Sequence, residues 1–184
     1  MQTMTKEQAA VVMLMHQYLR GLLDPFISLL EIHKLMYFME VAGEPLQLRL
    51  AKGPYGPYAE NLRHVLIEID GHYVSGYGAD GDRPDKPLEL VPGAVEKARL
   101  TLESHPETRE RFERVSRLVE GFESSFGMEL LATVHWVMER EGASTEAETL
   151  QKTYAWGGRK KRFSENQVRL ARKTLMDQGW LSAI

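Results

Sequence analysis

The 184-residue chain has no cysteine. That excludes disulfides, thiolate nucleophiles and every cysteine-based metal site. No apolar run approaches the roughly 20 residues needed to cross a bilayer. The N-terminus lacks a basic start, an apolar segment and a small-residue cleavage site, and no Asn-x-Ser/Thr sequon occurs. A cytoplasmic protein is the expectation. Catalytic patterns are missing as well. There is no Gly-x-Ser-x-Gly elbow, no phosphate-binding loop and no zinc pattern. The six histidines are scattered, and none falls at a spacing that marks a catalytic pair. These absences favour a binding module over an enzyme, with no cofactor, no metal and no small-molecule substrate.

What is present suits one globular domain of ordinary size. The net charge of −3 conceals an asymmetry: from residue 151 onward, eight basic residues against two acidic ones give +6, which leaves −9 for residues 1–150. Such an imbalance speaks of partners rather than of fold.

Thr5 and Gln8 have capping-box spacing ahead of a helix with apolar Val11, Val12, Leu14, Met15, Leu19 and Leu22. Residues 26–42 are apolar around most of a helical circumference, which predicts a central buried helix containing His33. Leu46, Leu48 and Leu50 alternate with polar or small residues, as in a short strand. Residues 53–64 then pack two Gly-Pro-like breaks and two tyrosines into a stiff turn, with Pro57 suited to a helix first turn. The helix expected after Pro57 carries Tyr58, Leu62, Val65, Leu66 and Ile69 on its buried face and offers Glu60, Asn61, His64 and Glu68 on the other. His72–Ser75 and residues 88–91 read as two more short strands around an acidic loop. Gly76, Gly78 and Gly81 match the dinucleotide fingerprint in form only, because loop chemistry follows rather than a helix N-terminus.

Helices are expected over 92–104, from Pro106 onward, and over 127–141. The Glu/Arg-dense face of the second reads as solvated, laced by pairs worth about 0.2–0.5 kcal/mol each. In the third, His135 and Glu139 have a metal-compatible spacing without a third ligand, so core packing is the better reading. Thr145/Glu148 and Ser164/Gln167 cap two final helices around a basic loop at 159–162. Three helices with a turn before the last resemble half of a winged-helix module. Arg159, Lys160, Lys161, Arg162, Arg169 and Arg172 are its candidate nucleic-acid contacts. The fold class is mainly α (α+β): a helical domain with a small two- or three-stranded antiparallel sheet and a winged-helix-like C-terminal segment. The chain divides into a helical core with the sheet (1–122) and a helical subregion (123–184) of one domain, 1–184.

The run from Glu31 to Met39, Gly43-Glu44-Pro45-Leu46, residues 52–64, residues 86–94 and residues 152–157 together resemble the SocA-like, or Panacea, antitoxin domain. Within that family it more nearly resembles one member group, the C-terminal domain of the DarG antitoxins. The resemblance implies an isolated toxin-binding half without the macrodomain. Its partner would be a DarT-type toxin, which attaches ADP-ribose to single-stranded DNA. Neutralisation by occlusion of the toxin's DNA groove, a form of DNA mimicry, would suit the −9 body. The candidate partner-binding residues are Tyr55, Tyr58, Glu60, Asn61, His64, Tyr73, Tyr77, Asp80 and Asp82. The alternative is a DNA-binding autoregulator of a toxin–antitoxin operon, with operator DNA as its partner.

Overall fold

The computed structural model describes residues 3–22, 25–78 and 81–182. Among these are eight α-helices and five short strands. Helix α1 (Lys6–Leu19) starts at the expected Thr5/Gln8 capping box. Strand β1 (Ile27–Ser28) leads directly into helix α2 (Leu29–Val41), whose own capping box is Ser28/Glu31. The sequence reading began this helix at residue 26. Ser28 instead accepts from the Glu31 amide and Glu31 caps back, while Leu29 N–H bonds to Lys86 O, so the chain is still extended at Ile27.

The 53–64 stretch also differs from expectation. Strand β2 (Leu50–Gly53) and strand β3 (Gly56–Ala59) form a hairpin across the two-residue turn Pro54-Tyr55. Pro57 is therefore a strand residue opposite Lys52, not the first turn of a helix, and helix α3 (Leu62–Ile69) starts five residues later. Leu46 and Leu48 lie outside the strand, where a positive φ of 57° at Gln47 breaks the extended run.

Strand β4 (Val74–Ser75) and strand β5 (Pro87–Leu90) complete a second antiparallel sheet in the order β1-β5-β4, pairing Ile27 with Leu88 and Val74 with Leu90. Helices α4 (Ala94–Glu103) and α5 (Pro106–Val119) pack on α1. Helices α6 (Ser125–Glu139), α7 (Glu146–Ala155) and α8 (Glu165–Asp177) pack on one another, with a 3-10 turn at Gly158–Arg162 between the last two. The architecture is mainly α with small antiparallel sheets. None of these helices is long and apolar enough to cross a membrane.

One apolar core runs from Ala9 and Val12 through Phe38 and Val134 to Trp180, so residues on both sides of position 122 share it. Helices α2 and α6 cross at its centre. There the Tyr37 hydroxyl meets His135 Nδ1 at 2.6 Å, and His135 Nε2 lies 3.0 Å from Trp180 O. Both imidazole nitrogens are thus occupied inside the core, and Glu139 accepts instead from Ser182 N–H at 2.9 Å. The helix α5 surface is not wholly a solvated face. Arg111 reaches the fully buried Glu44 at 2.7 Å, and Thr108 donates to the same carboxylate.

Candidate functional site

The hairpin of β2 and β3 is clamped by side chains from three other elements. Trp156 Nε1 donates to Gly53 O (2.8 Å), Lys160 Nζ to Pro54 O (2.9 Å) and Lys34 Nζ to Pro57 O (2.6 Å). A two-residue turn holding a proline leaves carbonyls that the ladder cannot satisfy, and these donors satisfy them. Gly56 lies against helix α6 at φ 98°, where an added Cβ would come 2.8 Å from Thr133 Oγ1. The hairpin is therefore fixed from behind.

Its front forms one wall of a cleft of about 370 Å³. Tyr55, Tyr58, Ala59 and Glu60 line that wall; Leu29, Leu30, His33 and Lys34 on α2 form the floor; Asp82 and Pro84 close the far side. The Tyr58 ring lies over Gly53, leaving no room for a Cβ there, and meets His33 edge-on with 6.4 Å between centroids. Tyr58 is 36% exposed. The Tyr55 ring is backed by the Arg159 guanidinium, 4.4 Å from its centroid. The cleft offers aromatic surface, apolar floor and a few polar groups, the usual make-up of a small-ligand site.

The electrostatics beneath the floor are unusual. Lys34 and Lys160 are both buried, at 2% and 0% exposure. Glu129 on α6, itself buried, pairs with Lys160 at 2.6 Å and with Arg159 at 3.0 Å. Burial, reinforced by the Lys160 charge and opposed by Glu129, brings the Lys34 ammonium down to about 7. Burial also holds His33 down at about 4, so it is neutral near pH 7 and accepts from Ala59 N–H at 3.2 Å. Lys160 is lowered by burial and restored in part by Glu129.

The structure brings together four of the residues expected to bind a partner: Tyr55, Tyr58, Glu60 and Asp82. Asn61 lies beside them but is a brace, accepting from Arg49 N–H and donating to Gln47 O. His64 is exposed on α3, outside the cleft lining. Tyr73 is half-buried near Lys97. Tyr77 is not an available ring. It is 3% exposed, and its hydroxyl donates to Asp82 at 2.8 Å; burial and that carboxylate hold it up at about 12. Asp80 lies outside the described residues.

The basic set fares differently from an open phosphate-binding stripe. Lys160 is buried under the hairpin, and Arg159 is taken by Glu129 and Tyr55. Arg169 is paired with Glu146 and Glu165, and Arg172 donates to Ser144 O at 3.2 Å. Lys161 and Arg162 are exposed, with Arg162 5.4 Å from the Phe126 ring centroid. His33, Lys34 and Lys52 line the cleft and were not among the sequence candidates. The available signal was Lys34 itself, the one lysine in a mostly apolar helix. Among the described residues no group of three or more His, Asp or Glu side chains is placed to hold a metal ion.

No family model matches the chain. It is 38% identical over 179 residues to a protein of Thermus aquaticus named DNA ADP-ribosyl glycohydrolase, covering 97% of this chain and 48% of that protein. It is 35% identical over 181 residues to proteins of the same name from Mycobacterium bovis and Mycobacterium tuberculosis, covering 91% of this chain and 51% of each. The chain thus spans about half the length of the curated relatives it matches. Those names correct the sequence reading. They describe an enzyme that acts on ADP-ribosyl DNA, not an antitoxin domain, so the expectations of a toxin-neutralising, non-enzymatic DNA mimic are overturned. The autoregulatory alternative gains no support from them either.

Proposed function

We propose that this chain works within a protein that hydrolyses the bond between ADP-ribose and DNA, and that its part is to hold the substrate in the hairpin cleft. The observation that carries this reading is the 35–38% identity, over nearly all of the chain, to proteins named for that hydrolysis. The cleft suits the role chemically. ADP-ribosyl DNA presents flat bases and phosphates. Tyr58 and Tyr55 present ring faces, and base–aromatic stacking is worth about 1–3 kcal/mol per base. Glu60 and Asp82 stand at the rim as acceptors for base or ribose donors. DNA bearing ADP-ribose thereby takes the place of a toxin as the proposed partner.

Equilibrium binding of a single-stranded oligonucleotide carrying one ADP-ribosyl group tests the reading. The expected result is saturable binding that Tyr58→Ala weakens. No binding at up to millimolar oligonucleotide refutes it.

A further inference from the structure

Lys34 is a buried lysine that forms no ion pair among the described residues. Among the described residues its Nζ has one polar partner, the neutral Pro57 carbonyl at 2.6 Å, although an ammonium carries three N–H donors. The buried carboxylate on its side of the fold, Glu129, is committed to Lys160 and Arg159. Glu129 is thus ion-paired with Lys160 and Arg159, and it acts on Lys34 only through a weaker Coulomb attraction. A charge buried in this way is costly unless something compensates it. Lys34 also contributes to the lining of the cleft, with 2% of its surface exposed. The other groups facing this region do not supply the missing charge. His33 is neutral, Lys52 is a cation paired with Glu141, Asp82 accepts from the Tyr77 hydroxyl, and among the described residues neither Glu60 nor Asp82 is ion-paired with Lys34.

We infer that the floor of the hairpin cleft is an oxyanion site, where a nucleotide phosphate settles beside His33 and Tyr58 and supplies the counter-charge that Lys34 lacks. The choice of phosphate among oxyanions rests on the proposed role with ADP-ribosyl DNA. The pyrophosphate of ADP-ribose and the phosphodiester of DNA share this chemistry. A phosphate bound here favours the charged ammonium over the free amine, so binding near neutral pH takes up protons.

Titration calorimetry of the whole chain decides this, with free ADP-ribose in one arm and an unmodified single-stranded oligothymidylate in the other. Each arm is run at pH 7 in two buffers of different ionisation enthalpy. At least one ligand is expected to bind with net proton uptake, and Lys34→Met to weaken it about tenfold or more in a protein that remains folded. Binding of ADP-ribose alone assigns the site to the pyrophosphate, and binding of oligothymidylate alone assigns it to the DNA backbone. The inference is overturned if neither ligand binds at millimolar concentration, if K34M binds as tightly as wild type, or if wild type takes up no proton. Should K34M fail to fold, proton uptake by wild type decides. The two readings fail separately. A chain that binds ADP-ribosylated DNA equally well with K34M loses the phosphate site alone. A chain that binds free ADP-ribose but not ADP-ribosylated DNA loses the proposed function alone.

Discussion

Replacing Glu129 by glutamine tests the foundation of the cleft. Glu129 is 1% exposed, lies 2.6 Å from the fully buried Lys160 and 3.0 Å from Arg159, and is the carboxylate that those cations share. The E129Q side chain keeps the volume and loses the charge. Lys160 is then a buried ammonium without an ion-pair partner among the described residues, left with neutral acceptors such as Pro54 O, 2.9 Å away. Removing one partner of a buried pair typically costs about 3–5 kcal/mol, because the other charge is stranded. The Arg159 arm adds little, since that guanidinium is partly exposed and solvent screens it. Set against a total stability of about 5–15 kcal/mol, the loss is large. For a chain of this size it corresponds to a fall in melting temperature of roughly 6–20 °C. Urea unfolding followed by tryptophan fluorescence measures it, with an unchanged slope showing that only stability moved. The double variant E129Q/K160M removes both charges and is expected to recover most of the loss. If E129Q costs less than about 1 kcal/mol, or if K160M deepens the loss, the buried charge cluster does not anchor the hairpin as described.

The remaining predictions concern the hairpin, the core and the pH profile. Gly56→Ala places a methyl group against Thr133 at φ 98° and is expected to cost roughly 1–3 kcal/mol in urea unfolding. A variant as stable as wild type would show that the hairpin is free to shift off α6. Tyr37→Phe strips His135 Nδ1 of its buried partner and should cost about 1–3 kcal/mol; a neutral outcome would mean that another group satisfies the imidazole. His33 and His135 are both depressed to about 4 by burial. The stability they contribute is present above their unfolded value near 6.5 and is lost as pH falls towards 4. The slope is up to about 1.4 kcal/mol per pH unit for each histidine. Lys34, depressed to about 7, acts in the same direction at higher pH: stability drops as pH falls from its unfolded range near 10.5 to about 7. Denaturant midpoints should therefore rise from pH 5 to pH 9, and K34M should flatten the upper part. A midpoint that falls across that range contradicts the burial of these groups as neutral species.

Helix starts were the most legible feature, because their signals are local. Thr5/Gln8, Thr145/Glu148 and Ser164/Gln167 each name a cap in the sequence, and each accepts the expected amide. Ser28/Glu31 carries the same signal but was hidden inside an apolar run that reads as continuous helix. The hairpin at 50–59 was less legible. Prolines at 54 and 57 suggest a turn and a helix start, whereas the strand pairing depends on donors more than twenty residues away at Lys34, and far more distant at Trp156 and Lys160. For the same reason, the basic run 159–162 reads in the sequence as a loop of nucleic-acid contacts. Nothing in its spacing shows that Lys160 faces inward to Glu129. Half of the cleft was visible as the Gly-Pro-Tyr stretch, with Tyr55, Tyr58 and Glu60 already named. The other half, His33 and Lys34, lay on a helix read as pure core, and only the packing of β3 across α2 brings the two together.

The role of the cleft is tested most directly by comparing wild type with Tyr58→Ala for binding of an ADP-ribosylated single-stranded oligonucleotide, read by fluorescence anisotropy. Tyr58 is partly exposed, so its truncation should leave the melting temperature nearly unchanged. The account predicts a loss of about 1–3 kcal/mol in binding, roughly 5- to 150-fold in Kd. Equal affinity in the two proteins would contradict it.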